Sequence, residues 1–354
     1  MNLQELGWSP YFTAAFDRLA EPGCLPARVA IRMISGKYLL YCSEGEVQGE
    51  LAGRLQYLAS GPQDLPAVGD WVAVRIVPSE QRAVIVDVLP RRTKFSRRAA
   101  GKRADEQVVA ANVDVVFLVQ ALDSTLNLRR LERYLVVASD SGARPVVLLN
   151  KSDLCGNLDD VVAAVDPVSA GAPVHVLAAR DGQGVEELRE YLAEGVTGAM
   201  LGSSGVGKST IINRLLGTDY LPTQEVREFD DKGRHTTTRR ELVILPGRGL
   251  LIDTPGMREL QLRGGTEGLE AAFEDVGTLA LDCKFRDCRH DQEPGCAVRQ
   301  ALDDGRLSLE RFESYRKLLR EIAFLERTGN RTEQVLYRDR VKKLTARHKR
   351  GYKK

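Results

Sequence analysis

A chain of 354 residues is long for a single domain and implies two or three. Its 43% hydrophobic and 28% charged residues exclude a largely disordered or collagen-like polymer. The net charge of +2 would argue against a polyanionic partner if it were evenly spread, but residues 91–103 carry Arg91, Arg92, Lys94, Arg97, Arg98, Lys102 and Arg103 with no acid, and residues 338–354 carry nine Lys/Arg against Asp339 alone. No apolar run approaches the roughly 18 residues of a membrane helix. Residues 1–8 lack the basic-then-apolar pattern of a secretory signal, so a cytoplasmic protein with no membrane partner is the expectation.

Between residues 28 and 89, short β-type runs at 29–34, 38–42, 71–77 and 83–89 are separated by turn chemistry such as Ser35-Gly36-Lys37 and Ser43-Glu44-Gly45. About five such strands fit a small OB-like β-barrel better than a sandwich, with an SH3-like barrel as the alternative. The basic residues 91–103 then leave the barrel as a linker suited to phosphate backbones. From residue 113 the period changes. Buried strands are predicted at 113–119 and 146–149 around a helical pattern at 127–138, followed by a strand at 173–178, a helix near 185–192, a short strand at 199–201 and a helix after Lys208. This alternation predicts a doubly wound α/β domain, which strands at 241–245 and 250–252 extend. Beyond about residue 270 the chain turns polar and cysteine-bearing, then helical over 309–325.

Gly202-Ser203-Ser204-Gly205-Val206-Gly207-Lys208-Ser209-Thr210 matches the phosphate-binding loop G-x4-G-K-[ST], after a strand and before a helix. There the backbone N–H groups and helix N-terminus hold phosphates, Lys208 reaches the β and γ groups, and the Ser209 hydroxyl is placed for Mg2+. Asp253-Thr254-Pro255-Gly256 closes a strand, with Asp253 suited to the Mg2+ water shell and the Gly256 N–H to a γ-phosphate. Gly233-Arg234-His235-Thr236-Thr237-Thr238 offers hydroxyls, Thr236 among them, to close over Mg2+. Asn150-Lys151-Ser152-Asp153 also ends a strand. The Asp153 carboxylate pairs with guanine N1–H and its amino group, a donor pair adenine lacks, so GTP is favoured over ATP. The base-reading loop precedes the phosphate loop, the reverse of Ras-like GTPases, which implies a circular permutation with the γ-phosphate-sensing segment leading into the C-terminal region. Cys283, Cys288, His290 and Cys296 form a Cys3His set for one closed, structural Zn2+ site.

With these motifs on hand, the chain closely resembles the ribosome small-subunit-dependent GTPase A family of bacteria, over essentially its whole length. The resemblance implies an OB-like barrel over 1–95, a circularly permuted GTPase over 96–270 including the basic linker, and a zinc-binding domain with a helical basic tail over 271–354. It further implies GTP hydrolysis to GDP stimulated by the 30S subunit during late maturation, with contact to 16S rRNA; a monomer is the default. Met257 stands where Ras-like enzymes carry a water-orienting glutamine, so slow intrinsic hydrolysis is expected, with His235 the candidate to position the water. Ala178-Ala179 stands where a Ser-Ala pair commonly frames guanine. The alternative is an RNA-binding translation regulator in which bound nucleotide is mainly structural.

Overall fold

The computed structural model describes residues 1–19, 21–77, 82–98, 106–218, 240–253, 262 and 266–327. His235, Thr236, Gly256, Met257 and the basic tail 338–354 therefore lie outside the described residues. After helix α1 (Pro10–Leu19) come strands β1 (Leu25–Arg32), β2 (Tyr38–Cys42) and β3 (Gly45–Leu51), helix α2 (Gly53–Leu58), and strands β4 (Trp71–Val77) and β5 (Arg82–Val88). The strands close as β1-β2-β3-β5-β4 and back to β1, with β3 and β5 parallel and the other pairs antiparallel. This is the predicted five-stranded barrel of OB topology.

Its interior is filled by Ala27, Val29, Tyr38, Leu40, Val72, Val74 and Ile85. The alternation of Val72, Val74 and Ile76 with Ala73 and Arg75 along β4 is only half visible in the burial, because Trp71 and Ala73 point outward yet are covered. Phe12 of α1 packs on Trp71 from one side and Trp8 meets it edge-on with ring centroids 4.7 Å apart. Strand β3 and helices α1 and α2 have no counterpart in the sequence reading. In β3, the Gly-Glu pairs at 45–46 and 49–50 leave little β-type signal, and the strand is held by its neighbours on both sides.

The basic linker is partly a hairpin of β6 (Lys94–Arg98) and β7 (Glu106–Ala111). Arg91, grouped above with the basic linker, makes a bidentate pair with fully buried Asp70 at 2.8 and 2.7 Å and donates to the carbonyls of Gln63 and Leu65. Lys94 pairs with Glu106 and Arg92 with Asp114. Three of the seven cations are thus paired with acids, Arg91 with a buried one.

The α/β unit follows with β8 (Val115–Ala121), α3 (Leu128–Ser141), β9 (Arg144–Asn150), α4 (Leu158–Val165), β10 (Val174–Leu177), β11 (Thr197–Gly202), α5 (Lys208–Leu216), β12 (Glu241–Ile244) and β13 (Leu250–Asp253). The sheet order is β10-β9-β8-β11-β13-β12, parallel except for β12. Every residue of β8 is buried, as a strand covered on both faces requires. Val116 and Leu118 face α3 while Val115, Phe117 and Val119 face α5. The predicted helix near 185–192 is a 3-10 helix, Glu186–Tyr191. One bridge, Ile31 to Glu241, joins the barrel to this sheet.

Arg28 reinforces that junction from β1. Fully buried, it donates to the Leu6 carbonyl, to the Asn112 carbonyl at 3.2 Å and to Thr197 Oγ1 at 2.8 Å, so one guanidinium ties the N-terminus, the barrel and the α/β sheet. Burial lowers its pKa to about 10, which leaves it charged at neutral pH. Arg28→Met strands these acceptors in the core and is expected to cost about 3–5 kcal/mol of stability, read from urea unfolding.

The C-terminal region consists of α6 (Glu267–Ala272), α7 (Glu274–Leu281), α8 (Ala297–Asp303) and a helix α9 over 309–327. Of these, α6 and α9 pack on α3, and Phe273, Val298, Phe312 and Ile322 belong to the same core as Leu131 and Leu135. No described helix is long and apolar enough to cross a membrane.

Candidate functional site: a nucleotide pocket and a metal cluster

The carboxyl ends of parallel strands β9, β8, β11 and β13 lie side by side, where open α/β sheets bind ligands. There the fold gathers Asn150 at the end of β9, Gly202 at the end of β11 and Asp253 at the end of β13. Chain order is irrelevant to this neighbourhood; strand order decides it.

Residues 203–207 wrap from β11 into α5, whose first residue is Lys208. Lys208 Nζ donates back to the carbonyls of Gly202 at 2.9 Å and Ser203 at 2.6 Å, so the lysine is folded onto its own loop. Ser204 and Gly205 are exposed, while Ser209 and Thr210 are half-buried in the first turn of the helix. Val206 is buried beneath the loop and anchors it to the core around Ile211 and Val119.

Asn150 is the joint between this loop and its neighbours. Its side chain is buried, donates through Nδ2 to the Val206 carbonyl at 2.8 Å and accepts through Oδ1 from the Ala179 N–H at 3.0 Å. The backbone at Ala178-Ala179 thus frames the pocket without a hydroxyl. Gly207, at φ +99, opens α5 directly against this amide, and a Cβ there would lie 2.1 Å from Asn150 Nδ2. Gly207→Ala is therefore expected to break the joint and weaken GTP binding at least about tenfold, measured by fluorescent-nucleotide titration.

Lys151 adopts a left-handed conformation at φ 65 and starts the 3-10 turn Ser152–Leu154. That turn leaves Asp153 exposed at the rim, its carboxylate accessible to a base, beside half-buried Ser152. Lys151 Nζ pairs at 2.9 Å with Asp123, a residue the sequence reading passed over. Asp123 follows β8, and its position just past the end of a parallel strand is the signal that could have found it. Hydrogen bonds from the Thr125 hydroxyl and then Lys151 hold its pKa at about 2, so the pair stays charged through mildly acid pH and is lost only as the pH falls toward that value. Arg130 was missed too; its Nη1 donates to Ser203 Oγ at 2.7 Å.

The four residues Cys283, Cys288, His290 and Cys296 converge as predicted, with all ligand atoms within 4.8 Å of one another. Cys283 Sγ lies 3.9 Å from Cys296 Sγ and 3.6 Å from His290 Nδ1, and His290 Nδ1 lies 3.4 Å from Cys296 Sγ. Metal–sulfur bonds of about 2.3 Å set tetrahedral edges of about 3.8 Å, so the donor set fits a tetrahedral metal ion. His290 sits at φ 60, which turns its ring into the cluster, and burial lowers its pKa toward the neutral, metal-binding form. With four protein ligands no position is left for substrate.

A model of the RsgA GTPase family matches residues 88–263. The chain is 49% identical over 353 residues to the small ribosomal subunit biogenesis GTPase RsgA of Opitutus terrae, covering 97% of this chain and 96% of that protein. It is 42% identical over 358 residues to the protein of the same name from Syntrophotalea carbinolica, covering 99% and 98%. Among solved structures, YjeQ from Thermotoga maritima superposes with a TM-score of 0.62 at 29% identity, over 85% of this chain and 99% of that one. YloQ, described as a circularly permuted GTPase, shares the fold with a TM-score of 0.60, over 85% of this chain and 95% of its own.

Proposed function

This chain belongs to the RsgA GTPase family and is a GTP hydrolase, and from that premise we propose that it couples hydrolysis to late maturation of the 30S ribosomal subunit. The observation that carries the reading is the meeting of Asn150, Gly202 and Asp253 at one sheet edge in permuted chain order. In this reading Asp153 selects guanine, Asn150 holds the base loop to the phosphate loop, and Lys151 and Ser152 shape the turn that presents Asp153. Residues 202–210 cradle the phosphates, with Lys208 leaving the Gly202 and Ser203 carbonyls for the β and γ groups. Ser209, Asp253 and Thr236 would hold Mg2+, which neutralises phosphate charge, and Gly256 would meet the γ-phosphate. Zn2+ is the metal best matched to the Cys3His set, where it supplies folding energy to a segment with little core of its own.

His235 takes the water-positioning role that Met257 cannot fill. His235→Ala is expected to cut 30S-stimulated turnover about a hundredfold with GTP affinity near wild type. The barrel, the C-terminal module and the tail 338–354 form the 16S rRNA-binding surface of a cytoplasmic monomer, and the three units divide near residues 95 and 270. Cosedimentation with purified 30S tests this reading. Binding should be tighter with a non-hydrolysable GTP analogue than with GDP and weaken as salt releases phosphate contacts. Equal failure to cosediment with either nucleotide would overturn it.

A further inference from the structure

Helix α3 is held at one end by the phosphate loop and along its length by the C-terminal module. At its N-terminus, Asn127 caps the helix by accepting from the Arg130 N–H at 2.9 Å, and the Arg130 side chain reaches Ser203 Oγ. Two residues on, fully buried Glu132 accepts from Arg311 Nη1 at 3.0 Å and from the Ser314 hydroxyl at 2.5 Å, both on α9. Arg133 makes a bidentate pair with Glu321 of α9, both bonds 2.7 Å. Near the C-terminus of α3, Asp140 accepts from the Gly268 N–H at 3.0 Å, an approach so close that a Cβ at Gly268 would lie 2.0 Å from the carboxylate.

A shift of α9 is costly unless α3 follows. Separating Glu132 from Arg311 and Ser314 would leave a carboxylate with no exposure only the Arg129 guanidinium of its own helix for a partner, at a cost that favours the two helices moving as a packed pair. What moves with α3 is Arg130, and what Arg130 holds is Ser203. The Ser203 carbonyl is one of the acceptors that hold Lys208. The position of α9 therefore bears on the same residue whose release frees the phosphate-binding lysine.

We propose that α3 is the lever that links the C-terminal module to the phosphate loop, with Arg130 as the positioning residue at its working end. That the load on the module is the 30S subunit rests on the functional reading above; the lever itself rests on the contacts of α3. By reciprocity, nucleotide state at the loop must change the module as much as the module changes the loop. A merely structural Arg130 would affect stability and leave this cross-talk intact.

Two measurements on the full-length protein test it. In the wild type, exchanging GDP for a non-hydrolysable GTP analogue should alter amide hydrogen exchange within residues 309–327; in Arg130→Met the nucleotide dependence should vanish, and in Arg130→Lys, which keeps a donor for Ser203, it should largely persist. With saturating GTP and 30S, the stimulation factor should fall about tenfold in Arg130→Met, a typical size for a coupling between sites. Nucleotide-dependent exchange in 309–327 that is the same in Arg130→Met as in wild type, or absent from the wild type, would overturn the lever. Wild-type exchange that depends on nucleotide and is lost in Arg130→Met supports it even where 30S gives no stimulation, a result that would count against the ribosomal reading alone.

Discussion

Asp153→Asn should lower GTP affinity by about 10²–10⁴-fold and raise affinity for xanthosine triphosphate. The estimate follows from two charge-assisted hydrogen bonds to guanine, each worth about 1.5–3 kcal/mol. An asparagine presents one carbonyl and one amide NH2 to the base edge, so its oxygen still accepts from N1–H while its NH2 faces the guanine amino group as donor against donor. Xanthine carries a carbonyl where guanine has its amino group, and the same NH2 then finds an acceptor. The structure makes the test a clean one. Asp153 is exposed and lies in a short 3-10 turn, while the packing of that loop depends on buried Asn150 and on the Lys151–Asp123 pair. Competition between GTP and xanthosine triphosphate for a fluorescent guanine nucleotide reads both arms. Unchanged preference in the variant would remove Asp153 from base recognition.

Loss of the metal should be the largest single change in stability. Free energies of about 10–16 kcal/mol accompany structural zinc binding in small modules, more than most whole domains have to spare. Cys288→Ala removes one ligand, so the purified variant should fall from about one zinc per chain to a small fraction of that, by elemental analysis. The segment from Cys283 to Cys296 should then become protease-sensitive. The effect should extend further, because Cys296 caps α8 by accepting from the Arg299 N–H, and His290 packs on Phe312 of α9. GTP binding should survive, since the nucleotide pocket shares no ligand residue with the cluster. A metal-free variant with wild-type protease resistance would show that the cluster is not a structural zinc site.

Legibility in the sequence tracked how local each feature is. The phosphate loop, the Asn150–Asp153 turn and the cysteine cluster are short patterns whose chemistry is carried by neighbours in the chain, and all three are placed where the reading put them relative to strands and helices. The barrel was visible through β2 and β4, whose predicted bounds coincide with the observed ones, but not through β3, which owes its conformation to β2 and β5. Arg91 illustrates the limit for charge. A run of cations reads as a solvated patch until a partner such as Asp70, far back in the chain, is brought beneath it. Arg130 was invisible for the same reason, since it acquires its meaning only from the strand order that sets β8 beside β11.

In the proposed function, hydrolysis is slow until the small subunit supplies what Met257 omits. Multiple-turnover GTP hydrolysis, titrated with purified 30S subunits at fixed low salt, measures it directly. A slow isolated enzyme is expected, with a saturable rise of at least about a hundredfold with 30S and a decline of that rise as salt increases. An isolated enzyme already as fast as the 30S-saturated one would contradict it.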